Sequence, residues 1–160
     1  MKHVILASGS PRRREILAGV GLNFDVIISG YEEDNGINLP PKQLVEQLSL
    51  GKARWVAERH PDSIVIAADT LVFLDDAPLG KPRDQTELKD MIGRLSGRAH
   101  SVCSGFTIIE GDHVLSDNVE TKVYFRSMSE AEISSYAATD AGVVVKYRRA
   151  SKLRSRVFRM

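Results

Sequence analysis

Residues 3–17 read HVILASGSPRRREIL: an apolar run, a turn of small residues, then a proline and three arginines. Their order decides the fold class. The continuous apolar stretch 3–7 reads as a buried strand. Ser10 suits the N-cap of the helix that follows, and Pro11 suits its first position. Ile16, Leu17 and Val20 then form the stripe expected to face inward. A strand feeding a helix through a tight turn opens an α/β chain. The same apolar stretch is too short for the core of a signal peptide.

Working outward, residues 24–29 (FDVIIS) read as a second strand, and 30–41 as a polar loop. Residues 41–60 carry the longest helical pattern, with Leu44, Val45, Leu48, Trp55 and Val56 on one face and Gly51 as its weak point. Residues 63–74 (SIVIAADTLVFL) form an apolar strand interrupted by Asp69. DDAPLGKPRD (75–84) is a turn, and 85–97 is a helix finishing on Gly97. Residues 99–128 alternate as strands do, with a hairpin turn at 110–112. Ser129 and Glu132 have the spacing of a capping box, so a helix begins there. The order β-α-β-α-β-α-β-β-α predicts an α/β fold whose later strands pair antiparallel.

The chain has 160 residues, 42% of them hydrophobic and 27% charged, as expected for one globular domain or two small lobes with a shared core. No apolar run approaches the roughly 20 residues of a membrane span. Cys103 is the single cysteine, which excludes an intrachain disulfide and fits a reducing cytoplasm. The net charge of +1 hides an asymmetry. Residues 141–160 hold 7 basic and no acidic residues, against 15 basic and 21 acidic in 1–140. Such a tail can serve nucleic acid or a membrane surface. It carries only Tyr147 and Phe158 as aromatics and no base-reading motif, so a nucleic-acid role ranks below enzymatic readings.

Three adjacent cations at a helix N-terminus oppose the helix dipole, so their clustering there calls for an anion. Ser8 and Ser10 supply hydroxyls, and Arg12 and Arg13 supply forked donors that match phosphate oxygens. Arg14 is left to solvent. The Walker A pattern is absent. Asp69 is the second clue. A carboxylate in an apolar strand is costly unless paired or bound to metal, whereas a place at the strand's C-terminal end is where open α/β sheets put their ligands. Glu32, Glu33 and Asp34 form an acidic run that either faces water or holds a divalent cation. Lys52, in a helix, and Lys81, in the loop LGKP (79–82), each read alone as solvated lysines. His100 and His113 lack metal-ligand spacing, and Cys103 lacks a local base.

Together these stretches resemble the Maf family of nucleoside triphosphate pyrophosphatases. The resemblance rests on ILASGSPRRREIL (5–17), Glu33, GKA (51–53), AADT (67–70), LGKP (79–82), RLSGRAHSVCSGF (94–106), TKVYFR (121–126) and SYAAT (135–139). It implies a mixed, elongated sheet flanked by helices, like that of inosine triphosphatases, with a cleft between two lobes. It implies hydrolysis between the α and β phosphates with a divalent cation, Mg²⁺ or Mn²⁺. Asp69 falls on the family's general base. Ser8, Arg13, Glu33, Lys52 and Lys81 fall on its other polar cleft positions. Arg12 and Thr70 match the branch acting on dTTP and UTP. In that scheme Arg13, Lys52 and Lys81 neutralise phosphate oxygens, Asp69 readies the attacking water, and Glu33 with Asp69 holds the metal. The family also implies a cytoplasmic homodimer without membrane attachment and a link to arrest of septum formation. A weak or dead relative that binds nucleotide and acts through a division partner is the alternative.

The resemblance covers residues 2 to about 139, so the expected domain is 1–140. The family's Ile-Gln-Gly-like strand, its base-selecting glutamine and its closing Gly-Leu-Pro-like stretch have no counterpart in 141–160. The charge change falls at the same point. A shifted reading frame or a truncated gene accounts for both, with 141–160 as an atypical basic tail and a candidate disordered segment.

Overall fold

The computed structural model describes residues 2–33 and 39–139. The tail 141–160 and Asp34 of the acidic run lie outside the described residues. Among the described residues the chain forms a six-stranded sheet and four helices. It divides into two compact units, residues 1–78 with 101–122, and residues 79–100 with 123 onward.

The first unit opens as the sequence predicts. Strand β1 (Val4–Leu6) leads into helix α1 (Pro11–Gly19), with Pro11 in its first turn. Strand β2 (Asp25–Val26) pairs parallel to β1, and so does the first part of β3 (Ile64–Leu74). Strand β2 is shorter than the predicted 24–29, because the chain beyond it leaves the sheet to lie on a helix, as described below. Strand β4 (Ala77–Leu79) folds back on β3 through Asp75 and Asp76, whose φ values are 52° and 61°. Aspartate is among the few non-glycine residues that tolerate such a pair, which is what a two-residue type I′ turn needs. The predicted turn at 75–84 thus contains a short strand. Strands β5 (Ala99–Glu110) and β6 (His113–Tyr124) form the hairpin read at 110–112, with Gly111 at a φ of 57°. The order across the sheet is β2-β1-β3-β5-β6, and β3 pairs antiparallel with β5.

Helix α2 (Pro41–Ala57) covers one face of this sheet. Two apolar clusters hold it there. One joins Ala53 and Val56 to Ile5, Ala7, Val65, Ala67 and Ile109. The other joins Leu44, Val45 and Leu48 to Phe73 and Cys103. Between them runs a polar seam of Ser49, Lys52, Asp69 and Thr107, all buried. Ser49 Oγ donates to the Glu46 carbonyl at 2.9 Å and lies 2.9 Å from Thr107 Oγ1. Residues 65, 67 and 69 of β3 alternate inward toward α2, as a pleated strand requires.

Two expectations are corrected. Of the predicted inward stripe only Leu17 turns toward the protein: Ile16 is 52% and Val20 74% exposed. The side chains of α1 that turn toward the protein are the half-buried Arg13 and Leu17, one turn apart. The helix is rotated so that a guanidinium, rather than an isoleucine, meets the sheet. Asp69 neither interrupts its strand nor ends it. Strand β3 runs unbroken from 64 to 74, with Asp69 in its middle. The ligand-side rule still bears on it by another route. Parallel β1 pairs with β3 only at Ile64, Val65 and Ile66, so Asp69 lies just past the carboxyl end of β1.

The second unit contains α3 (Gln85–Leu95) and α4 (Glu130–Ala137), which pack together through Leu88, Leu95, Ile133 and Ala137. Asp84 caps α3 by accepting from the Glu87 amide at 2.9 Å. The predicted capping box of Ser129 and Glu132 is present. Hydrogen bonds from Arg126 and then Ser129 hold the Glu132 carboxyl down at about 2. Gly97, at a φ of 69°, ends the α3 segment where the sequence places its stop.

Candidate active site

The turn after β1 organises the site around Ser8. Its hydroxyl is buried and accepts from Arg13 Nη1 at 2.9 Å and from the Ser10 amide at 3.3 Å. Ser10 occupies the N-cap position, yet its side chain makes no capping bond. The first amides of α1 therefore lack a side-chain acceptor. Arg13 also donates from Nη2 to Thr70 Oγ1 at 3.5 Å. Burial pushes the Arg13 guanidinium below its ordinary value, and the negative charges of Asp69 and Glu33 push back. It stays cationic, as arginine does in proteins.

Asp69 is 7% exposed. Its Oδ1 accepts from Lys52 Nζ at 2.5 Å, while its Oδ2 is buried without a hydrogen-bond partner among the described residues. Lys52 sits on the buried face of α2 and is 9% exposed, so the surface reading of this lysine is wrong. Its ammonium also lies 2.8 Å from Glu33 Oε1. One cation thus bridges two carboxylates that are 36 residues apart in sequence.

Glu33 reaches that position because two glycines let the loop lie against α2. A Cβ on Gly30 would stand 2.8 Å from the Trp55 ring, and one on Gly51 only 2.3 Å from Cζ of Tyr31. The Tyr31 ring rests on the bare backbone of α2, two residues before Glu33. What reads as a weak point in the helix is a seat for an aromatic ring. Alanine in a helix interior ordinarily stabilises by about 0.5–1 kcal/mol over glycine. Gly51→Ala is expected to do the reverse. It displaces Tyr31, lowers stability by about 1–3 kcal/mol, and loosens Glu33 from Lys52. Urea unfolding midpoints give the sign.

Of the remaining predicted residues, Thr70 is exposed on β3 and hydrogen-bonds both Arg13 and Ser104, the latter at 2.9 Å. Arg12 is exposed and pairs with Glu15 at 3.4 Å. Lys81 is exposed in the loop between β4 and α3, in the second unit. Ser104, Tyr31 and Gly51 were missed as contributors. Ser104 is the register partner of Thr70 across β3 and β5, a relation that only the strand pairing reveals.

The donor set suits a hard divalent cation. Two carboxylates converge, and one of their oxygens is buried and unpartnered. Among the described residues no cluster of three or more His, Cys, Asp or Glu could cage a metal by itself. Mg²⁺ is commonly held by one or two carboxylates with water and substrate phosphates completing its shell, so the pair fits.

The described residues define a mixed α/β protein with a buried lysine set between two carboxylates beside a helix N-terminus. The structure superposes on a HAM1 protein from Coxiella burnetii with a TM-score of 0.51 and 15% identity, over 78% of this chain and 73% of that one. It superposes on a nucleoside-triphosphatase, or dITP/XTP pyrophosphatase, from Mycobacterium abscessus with a TM-score of 0.51 and 13% identity, over 99% and 100% of the two chains. At these identities the likeness concerns the fold. The sequence narrows the class further: residues 3–148 match the family described as Maf-like protein, and the chain belongs to that family. It is 45% identical over 139 residues to a dTTP/UTP pyrophosphatase of Symbiobacterium thermophilum, covering 87% of this chain and 72% of that protein. It is also 45% identical over 133 residues to one of Akkermansia muciniphila, covering 83% and 70%. A dTTP/UTP pyrophosphatase of Bacillus cereus is 42% identical over 139 residues, covering 87% and 68%.

Proposed function

We propose that this protein hydrolyses dTTP and UTP between the α and β phosphates, releasing the monophosphate and pyrophosphate. The observation that carries this reading is the buried Lys52–Asp69 pair, whose free Oδ2 lies within the field of Arg13. Phosphoryl transfer asks for charge neutralisation and an oriented nucleophile more than for covalent help.

Arg13 and Lys52 bind the polyphosphate oxygens as cations. Ser8 holds Arg13 in place, and the uncapped amides of α1 add donors to the same anion. Asp69 Oδ2 accepts the proton of the attacking water. Low solvent access at this carboxylate keeps competing water away from it. Glu33 and Asp69 would hold a divalent cation, which supplies further neutralisation of phosphate charge. Thr70, fixed by Ser104 and Arg13, takes part in choosing the nucleotide, with Arg12 as its partner in that selection.

The test is a panel of normal and modified nucleoside triphosphates with Mg²⁺ or Mn²⁺, scored for pyrophosphate against orthophosphate. Pyrophosphate from dTTP and UTP, abolished by a chelator, is the expected result. Orthophosphate release overturns the bond assignment. Nucleotide binding without turnover replaces the enzymatic reading with a binding one.

A further inference from the structure

The Lys52 ammonium sits where the proposed reaction needs another cation. It touches Asp69 at 2.5 Å and Glu33 at 2.8 Å, and both carboxylates are spoken for by this single charge. The arrangement is closed on one side and open on the other. Lys52 and Asp69 are both buried, whereas the Glu33 side chain is 37% exposed and leaves the pair a route to solvent. Two carboxylates brought this close repel each other, so something positive must stand between them. Arg13 is close enough to feel both charges, but its hydrogen bonds go to Ser8 and Thr70.

We propose that Lys52 is a stand-in cation: in the substrate-free protein its ammonium occupies the place between Glu33 and Asp69, and it yields that place when a divalent cation arrives with a triphosphate. This deepens the reading of the site as a metal-dependent pyrophosphatase and rests on it. Lysine is suited to the part. Its charge is a compact point on a flexible four-carbon stem, so the ammonium can swing while α2 stays where it is. On leaving the carboxylates it meets an incoming polyphosphate, so its charge is never buried alone. After the exchange each charged group still has an opposite charge beside it, the carboxylates the divalent cation and the ammonium the polyphosphate, so no buried charge is left unpaired.

The consequence is a coupling. Without nucleotide, a divalent cation must displace an ammonium that has no other anion to receive it, so its affinity for the free protein is low. With nucleotide, the displaced ammonium gains a partner, and metal and nucleotide strengthen each other's binding reciprocally. A lysine that only contacts phosphate would leave metal affinity in the nucleotide-free protein untouched.

The experiment measures Mn²⁺ binding to the nucleotide-free protein by electron paramagnetic resonance, for the parent chain and for Lys52→Met, Lys52→Gln and Lys52→Arg. Circular dichroism checks that each variant is folded. Removing the charge is expected to tighten Mn²⁺ binding at least about tenfold in Lys52→Met or Lys52→Gln, while Lys52→Arg, which keeps the charge, stays near the parent. If one neutral variant fails to fold, the other decides. Unchanged or weaker Mn²⁺ binding in the folded neutral variants overturns the proposal. So does equal tightening in Lys52→Arg, which would reflect a loosened site rather than a removed competitor, and so does an absence of Mn²⁺ binding in every protein. The pyrophosphate assay is separate. A protein that releases no pyrophosphate yet shows the tightening keeps the exchange and loses the reaction, and the opposite pattern keeps the reaction alone.

Discussion

The Asp69→Asn protein is expected to fold and to release pyrophosphate about 10³-fold more slowly than the parent chain, within the range that a general base contributes. The substitution keeps the shape of the side chain and an oxygen for Lys52 Nζ to donate to. It removes the one feature the chemistry needs, a buried carboxylate oxygen with no partner of its own. Stability should change much less than activity. Stripping a counter-ion from a buried pair costs about 3–5 kcal/mol when the survivor is left alone. Here Lys52 keeps Glu33 at 2.8 Å, so the loss should stay below that range. Initial rates of pyrophosphate release and a urea titration measure the two effects side by side. Activity within tenfold of the parent would remove Asp69 from the role of base.

The second large effect is expected at a residue with no side chain. Gly105 lies directly across the sheet from Asp69. A Cβ there would stand 2.4 Å from both the carbonyl carbon and oxygen of Val45 and 2.7 Å from the Glu46 amide nitrogen. These are backbone atoms of α2, so no rotamer change relieves the clash. The helix has to lift from the sheet. Gly105→Ala should therefore cost about 3 kcal/mol and lower Tm by roughly 10 °C. The same movement carries Lys52 away from Asp69, and a misplacement of about 1 Å can cost on the order of 10² in rate. Calorimetry and the pyrophosphate assay should thus report coupled losses. A stable protein with normal turnover would show that α2 has slack at this point.

Several of these features could be read before the structure, and the reason differs from one to the next. The strand–turn–helix at 4–19 was legible because its signals are local: an apolar run, small turn residues, and proline at the helix start. The capping box at Ser129 and the hairpin at Gly111 were legible for the same reason. Asp69 stood out because a charge in an apolar strand demands an explanation. Its place just past the carboxyl end of β1 was not legible, since it depends on β1 being only three residues long. Lys52 looks like any helical lysine until α2 is docked, because only the docking brings it to Asp69 and Glu33. The inward stripe of α1 was misread because hydrophobicity alone puts Ile16 and Val20 inside. The helix instead obeys the hydrogen bonds of Arg13, and no periodicity argument contains those.

That first helix has an unusual kind of anchorage. None of its residues is buried among the described residues, so little oily adhesion holds it down. Its side-chain grip on the rest of the fold comes through the half-buried Leu17 and one guanidinium fork to Ser8 and Thr70. An anion that recruits this fork would take hold of the mooring itself, so that its arrival is felt along the whole rod from Pro11 to Gly19.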